Sequence, residues 1–276
     1  MTIKEALILG TKKLNNCEDL EAKNVAKRAL AFLLKKDFTY LAIYSEEKLN
    51  KEIEYSYMET LSKIEEGMPL QYITHEQNFM GINFCVDENV LIPQPDTEIL
   101  VKEVLDICKR NNIVKILDMC TGSGAIAISL AKDLKSAKIF ASDISKKALK
   151  VAKKNAEKES VDVFFIESDL FSKIDEKFDL IVSNPPYIKT EVIKTLDKQV
   201  HNEPLIALDG GKDGLLFYRS ILNNAKDFLN DNGFIALEIG FDQKDEVISL
   251  MKKEGYKNVY SKKDLGNNDR IVVGKK

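Results

Sequence analysis

Ile116-Leu117-Asp118-Met119-Cys120-Thr121-Gly122-Ser123-Gly124-Ala125 decides the architecture of this chain: an apolar strand, a tight turn and the start of a helix. Gly122 and Gly124 permit unusual dihedrals and let a ligand approach the backbone closely. The amides that open the following helix favour a carboxylate or a phosphate. From this point onward strands and helices alternate. Further apolar strand candidates are residues 138–141, 163–166, 180–182, 234–239 and 270–273, and helical stretches such as 145–159 and 214–229 follow most of them. Strands apolar on both sides and separated by helices predict a parallel sheet covered on both faces. Ligands of such sheets bind beyond the carboxyl ends of the strands, where the strand order reverses.

The ends of the predicted strands carry acids. Asp118 ends the first, Asp143 the second and Asp169 the third. An acid at Asp143 can accept hydrogen bonds from both hydroxyls of a ribose, and Asp169 can receive the amino group of an adenine. A nicotinamide dinucleotide would also suit a glycine-rich turn, but the third glycine of its G-x-G-x-x-G fingerprint is Ala127 here. Three acids fit a nucleoside without phosphates better than a pyrophosphate, and S-adenosylmethionine is such a nucleoside.

The fourth predicted strand runs straight into Asn184-Pro185-Pro186-Tyr187. Two successive prolines fix two φ angles and keep Asn184 out of the helical region, so the loop is rigid. The Asn184 side-chain oxygen and the Pro185 carbonyl can accept both hydrogens of one NH2 group, while Tyr187 offers a flat face to a planar group. An amide or aromatic amine nitrogen is a poor nucleophile because its lone pair is delocalised. Two acceptors gripping its hydrogens localise that pair and aim it at an electrophilic methyl, with no strong base required. Away from a strand end the same four residues would be an ordinary turn.

The first 75 residues read as helices. Thr2 and Glu5 form a capping-box pattern. Ala22, Val25, Ala26, Ala29, Leu30 and Leu33 make one apolar stripe, and Ile53, Tyr57, Leu61 and Ile64 another. Gly67 supplies a left-handed stop. These helices cannot bury their stripes singly, which predicts a small bundle over residues 1–75. Residues 76–95 read as an ordered linker with a short strand pair, stiffened by Pro93 and Pro95, after which Asp96 is placed to cap a new helix. The remaining domain is 96–276.

Bulk properties narrow the partners. With net charge −3 over 276 residues, and 11 Lys/Arg against 12 Asp/Glu in residues 1–75, there is no basic excess for gripping a polynucleotide. Cys17, Cys85, Cys108 and Cys120 are scattered and only His75 and His201 could join them, so no metal site is expected. No apolar run approaches the length of a membrane span, and Met1-Thr2-Ile3-Lys4-Glu5 lacks a signal-peptide arrangement. The expectation is a cytoplasmic protein with reduced thiols.

With both ends of the domain in place, the chain resembles the HemK/PrmC family, the glutamine-N5 methyltransferases acting on peptide-chain release factors. Besides the Asn184 loop, the resemblance rests on Gly67-x-Pro69-Leu70-Gln71-Tyr72-Ile73 and Leu91-Ile92-Pro93-Gln94-Pro95-Asp96-Thr97-Glu98. It continues through Glu203-Pro204-x-x-Ala207-Leu208, Gly210-Gly211-x-Asp213-Gly214-Leu215, and Glu238-Ile239-Gly240 with Gln243. It implies a Rossmann-like class I methyltransferase domain with a mainly parallel seven-stranded sheet, joined to a small N-terminal helical bundle that helps recognise the release factor. It further implies that Asn184 and Pro185, flanked by Pro186 and Tyr187, hold the glutamine amide of a Gly-Gly-Gln tip. S-adenosylmethionine would lie against Cys120, Thr121, Gly122, Ser123 and Gly124, with its ribose on Asp143, its adenine on Asp169 and Leu170, and Asn184 beside it. A monomer is expected. Three positions depart from the family pattern: Cys120 and His75 stand where glycine is usual, and Gln94 replaces an arginine. The loop alone would also suit an adenine-N6 or guanine-N2 methyltransferase of nucleic acid, and a cofactor-binding module without activity is a third possibility.

Overall fold

The computed structural model describes residues 1–14 and 22–276, so Cys17 lies outside the described residues. Two compact units result, one formed by Met1–His75 with Asp197–Asn202 and the other by Glu76–Leu196 with Glu203–Lys276.

The smaller unit contains helices Ile3–Leu14, Ala22–Leu34, Phe38–Ile43, Lys51–Glu65 and Leu70–Thr74. The capping box forms reciprocally: the Glu5 amide donates to Thr2 Oγ1 at 3.2 Å and the Thr2 amide to Glu5 Oε2 at 2.8 Å. Ala22, Ala26, Ala29 and Leu30 of the first stripe are buried against Tyr57, Leu61 and Ile64 of the second, with Val25, Leu33 and Ile53 at the margin. Tyr57 is fully buried and donates its hydroxyl to the Ala26 carbonyl at 3.2 Å. Gly67 has φ +109°, its amide donates to Ile64 and that of Met68 to Lys63, which closes the helix end in a Schellman pattern. The Asn202 side chain donates to the Gly67 carbonyl at 2.9 Å, anchoring Asp197–Asn202 in this unit.

The larger unit opens with a hairpin, β1 Glu76–Phe79 and β2 Ile82–Cys85. Its two turn residues, Met80 and Gly81, both have positive φ, as the right-handed twist of a two-residue hairpin demands. The main sheet comprises β3 Lys115–Met119, β4 Lys138–Asp143, β5 Phe164–Glu167, β6 Phe178–Ser183, β7 Leu229–Glu238, β8 Lys257–Lys263 and β9 Asp269–Lys275. Their order is β5-β4-β3-β6-β7-β9-β8, parallel through β7 and antiparallel at β9 and β8. This is the seven-stranded, mainly parallel sheet of a class I methyltransferase domain. Side chains alternate between two cores. Ile116, Ile139, Leu180 and Val182 face one with helices Thr97–Arg110 and Ala125–Asp133. Leu117, Phe140 and Ile181 face the other with helices Leu216–Phe228 and Lys244–Lys253.

Two expectations need correction. Asp96 does not cap its helix: it has helical dihedrals, makes no side-chain cap bond, and pairs instead with Arg270 at 3.1 Å. Strand β8 was not anticipated, because this edge strand is mostly exposed and rich in lysine and carries no apolar run.

Candidate active site

The strand order reverses at β3 and β6, whose carboxyl ends lie side by side. Ser183 ties them together by donating its hydroxyl to the Met119 carbonyl at 2.7 Å. Beyond these ends lies a cavity of about 330 Å³, within the range of small-ligand sites. Of the predicted residues, Cys120, Gly122, Asp143, Asp169, Leu170, Asn184 and Pro186 line it. Thr121, Ser123, Gly124, Pro185 and Tyr187 are outside the lining, and all but Tyr187 are buried in the wall that shapes it.

The turn after β3 is built from below. Asp118 is fully buried and aims into the turn, accepting the Thr121 hydroxyl at 2.5 Å and the Ala127 amide at 3.1 Å. Burial pushes its carboxyl up to about 7 against those two hydrogen bonds. The expectation of a ligand-facing acid at all three strand ends therefore fails at the first, where the carboxylate closes the turn; Asp143 and Asp169 reach the cavity. Gly124 has φ +82°, and a side chain there would collide with Ile128 and Ala152. Gly122 differs: a Cβ would meet nothing within 4 Å, so the backbone is open on that side. Cys120 keeps a left-handed φ of +59°, a conformation that glycine adopts without cost. Burial pushes its thiol up to about 12, which keeps it neutral.

Asp143 ends β4 with both oxygens engaged, Oδ2 by the Gly122 amide at 2.9 Å and Oδ1 by the Ser145 amide at 2.8 Å. Its carboxyl is raised by burial, with those amides opposing. Each oxygen retains lone-pair capacity for a ligand hydroxyl. Asp169 and Leu170 follow β5, where Leu170 takes φ +46° and its carbonyl accepts the Ser168 hydroxyl at 2.8 Å.

The Asn184 loop is held from behind. Asn184 Nδ2 donates to Thr97 Oγ1 at 3.3 Å, and Tyr187 Oη to Glu238 Oε1 at 3.5 Å. The Tyr187 carbonyl accepts from Gln243 Nε2 at 3.0 Å, and Gln243 Oε1 accepts the Gly240 amide at 2.9 Å. Glu238 is buried and raised to about 7 by desolvation, opposed by a hydrogen bond with Thr97 and the charge of Arg270.

Several wall residues carried no role in the sequence reading. Asn89, Val90 and Leu91 come from the segment after the hairpin, Pro204, Ile206 and Ala207 from the loop after residue 203, and Ile144 and Phe217 complete the apolar lining. The Leu-Ile-Pro and Glu-Pro stretches were visible signals, but neither has a spacing that announces a pocket. Asn155 was also missed. Its side chain accepts the Cys85 amide at 2.7 Å and donates to the Cys85 and Ser123 carbonyls at 2.9 Å each, binding the hairpin to the glycine turn.

Glu203 joins two walls of the cavity by accepting the Ile92 amide at 3.1 Å. Burial raises its carboxyl from 4.5 to about 7. A carboxyl whose folded pKa lies above its unfolded value withdraws stability as pH rises between the two, because the folded state holds the proton more tightly. Glu203→Gln mimics the neutral form. It is expected to match the wild-type protein at pH 4 and to exceed it by about 1–3 kcal/mol at pH 8, measured by denaturant unfolding.

Comparison with known proteins agrees with this geometry. Residues 94–203 match the model of the methyltransferase small domain, and residues 5–74 that of the PrmC N-terminal domain. A solved methyltransferase from Pyrococcus furiosus shares the fold, with TM-score 0.53 and 20% identity over 78% of this chain and 96% of that one. The release factor glutamine methyltransferase of Clostridium acetobutylicum is 40% identical over 99% of this chain and 98% of its own length. That of Clostridium botulinum is 39% identical over the whole of both. A class I sheet, a cavity at its switch point, an Asn-Pro-Pro-Tyr loop beside it and this end-to-end similarity lead to one assignment: the chain belongs to the release factor glutamine methyltransferase family.

Proposed function

We propose that this chain transfers a methyl group from S-adenosylmethionine to the side-chain amide nitrogen of the glutamine in the Gly-Gly-Gln tip of a peptide-chain release factor. The observation that carries this reading is that the Asn184 loop, rigid and wired from behind, lines through Asn184 and Pro186 the same cavity as Cys120 and Gly122 of the glycine turn. The cavity also suits the cofactor. Asp143 and Asp169 provide acceptors for hydroxyl and amino groups, Ile144, Leu170 and Phe217 provide apolar faces for a base, and Gly122 leaves its backbone open.

S-adenosylmethionine, when bound, supplies a methyl group on a positively charged sulfur. The protein does the rest by positioning. Asn184 Oδ1 and the Pro185 carbonyl accept the two amide hydrogens and hold the nitrogen with its lone pair directed into the cavity. Such alignment of reactants contributes about 7–11 kcal/mol in favourable cases. The proton lost from the methylated nitrogen is acidic, so no dedicated base is required. The helical unit, with its balanced charge, recognises protein rather than nucleic acid, and the enzyme acts as a monomer. No helix among the described residues is long and apolar enough to cross a membrane.

The deciding experiment is methyl transfer from radiolabelled cofactor to purified release factor. The wild-type factor is expected to accept label, and a factor whose tip glutamine is alanine is expected to accept none. Equal labelling of both, or labelling of polynucleotide alone, rejects the proposal. Asp143→Ala checks the cofactor side. It is expected to weaken S-adenosylmethionine binding by about ten- to a hundredfold in calorimetry, the loss of a charged hydrogen-bond acceptor.

A further inference from the structure

Proline carries no amide hydrogen, so the two prolines of the Asn184 loop cannot anchor it by donating bonds of their own. Upstream the loop is fixed by β6, whose last residue, Ser183, sits in the sheet between Met119 and Leu237. Downstream its hold begins at Tyr187 and Ile188. The Ile188 amide donates to Leu208 and its carbonyl accepts from Gly210, which lays the chain after the prolines against residues 208–211. One side chain grips both of these runs. Gln243 Nε2 donates to the Tyr187 carbonyl at 3.0 Å and to the Gly214 carbonyl at 3.2 Å, while its Oε1 accepts the Gly240 amide at 2.9 Å.

The Gln243 amide fits only one way round. A backbone amide donates and a carbonyl accepts, so these three groups select the oxygen for Gly240 and the nitrogen for Tyr187 and Gly214. Both hydrogens of Nε2 are engaged, and the residue is 4% exposed. The Tyr218 hydroxyl, shared between the Glu238 carbonyl at 2.9 Å and Gln243 Oε1 at 3.4 Å, ties β7 to the same amide. Two glycines make the room. A Cβ on Gly214 would lie 2.5 Å from Gln243 Nε2 and 2.5 Å from the Tyr187 carbonyl oxygen, and one on Gly240 would lie 2.9 Å from Gln243 Oε1. Burying an amide is costly unless its bonds are made. Here they are made only when all three segments are in place together.

Two pinned ends fix what lies between them. Pro185 and Pro186 have set φ, which leaves the chain from Asn184 to Tyr187 as a short stiff link. The direction of the Pro185 carbonyl then depends on where Tyr187 is held. That carbonyl is one of the two acceptors assigned above to the substrate amide, and no side-chain substitution can delete it. We propose that Gln243 is a positioning residue for the transfer reaction inferred above, aiming the Pro185 carbonyl by holding the far end of the two-proline link. Gln243 itself does not line the cavity.

Gln243→Met keeps the length of the side chain and removes both ends of the amide. Gly240→Ala is milder: its φ is not left-handed, and the added methyl meets only the ends of Gln243 and Asp242, so the amide shifts while the backbone stays. The measurements are S-adenosylmethionine affinity by calorimetry, the single-turnover rate at saturating release factor, the factor concentration giving half that rate, and the Tyr187 carbonyl signal in protein carrying ¹³C-tyrosine and ¹⁵N-isoleucine, assigned by its loss in Tyr187→Phe. Gln243→Met is expected to keep cofactor affinity and half-saturation within about threefold and to shift the Tyr187 signal. Its saturated rate is expected to fall by about ten- to a hundredfold, the effect of misaligning one contact to the reacting group. Gly240→Ala is expected to shift the same signal and to lower the rate by about three- to tenfold. A residue that only supported the fold would lower Tm and leave the rate of the folded enzyme unchanged. Wild-type saturated rates in both variants, a loss confined to half-saturation, or an unmoved Tyr187 signal overturns the proposal. If Gln243→Met does not fold, Gly240→Ala makes the same comparison. If the wild-type enzyme methylates no release factor, the proposed function falls first, and the Tyr187 signal alone then decides whether Gln243 holds the loop.

Discussion

Asn184→Ala is expected to lower turnover on release factor by about a hundred- to a thousandfold, the cost of losing one preorganised electrostatic contact to the reacting group. Its effect on S-adenosylmethionine binding is expected to stay within about threefold, because Asp143, Asp169 and the glycine turn remain. The separation follows from geometry. Asn184 borders the cavity, but its nitrogen is spent on Thr97 and its backbone is held by β6 and by Pro185, so its removal leaves the cofactor walls standing. Single-turnover rates and calorimetry on the same preparation check both halves. A large loss of cofactor affinity with normal turnover at saturation would contradict the role given to this residue.

Gly210→Ala is expected to damage the same loop from a distance. A Cβ on Gly210 would lie 2.7 Å from Tyr187 Cα, 2.8 Å from the Tyr187 carbonyl carbon and 3.0 Å from Gly214 Cα, all of them backbone atoms that cannot swing aside. The strands of the loop are stitched at this point, with the Gly210 amide donating to Ile188 at 2.8 Å and the Ile188 amide to Leu208 at 3.0 Å. The added methyl must therefore push the chain at Tyr187 outward. Overpacking of this kind costs about 3 kcal/mol, equivalent to a fall in Tm of about 6–12 °C. Turnover is expected to fall with it even at temperatures where the variant remains folded. A variant with wild-type Tm and turnover would show that the loop has slack which these distances deny.

The Gly210 contact also marks how far the sequence could be read. Periodicity located β3, β4, β6 and the two apolar stripes of the helical unit, because in each the residues that face a core recur at the period of the backbone. It failed at β8, where an edge strand faces water and needs no apolar side. The Asn-Pro-Pro-Tyr loop was legible because proline acts locally and its effect on φ does not depend on neighbours. What stands behind the loop was not. Gly210, Gln243, Glu238 and Thr97 lie from 23 to 87 residues away from the Tyr187–Asn184 pair they support, and only the folded sheet brings them together. Asp118 shows the same limit in reverse: its place at a strand end suggested a ligand contact, while its orientation toward Thr121 and Ala127 makes it a support of the turn. Asn155, mid-helix in sequence, acquires its purpose from Cys85 and Ser123, 70 and 32 residues distant.

That Asn155 bridge bears on how relatives of this protein could be recombined. Grafting the helical unit of one onto the sheet of another would test the recognition role proposed for that unit. A cut placed at Pro95, where the proline-rich stretch looks like a hinge, would take the hairpin away from the glycine turn and remove Asn89, Val90 and Leu91 from the pocket. A cut after His75 keeps the pocket whole. The graft must also carry Asp197–Asn202 from the same parent as Gly67, since the Asn202 side chain recognises that carbonyl. The helical unit of such chimaeras would thus travel as two separate pieces of chain, and a single-junction hybrid would inherit only part of it.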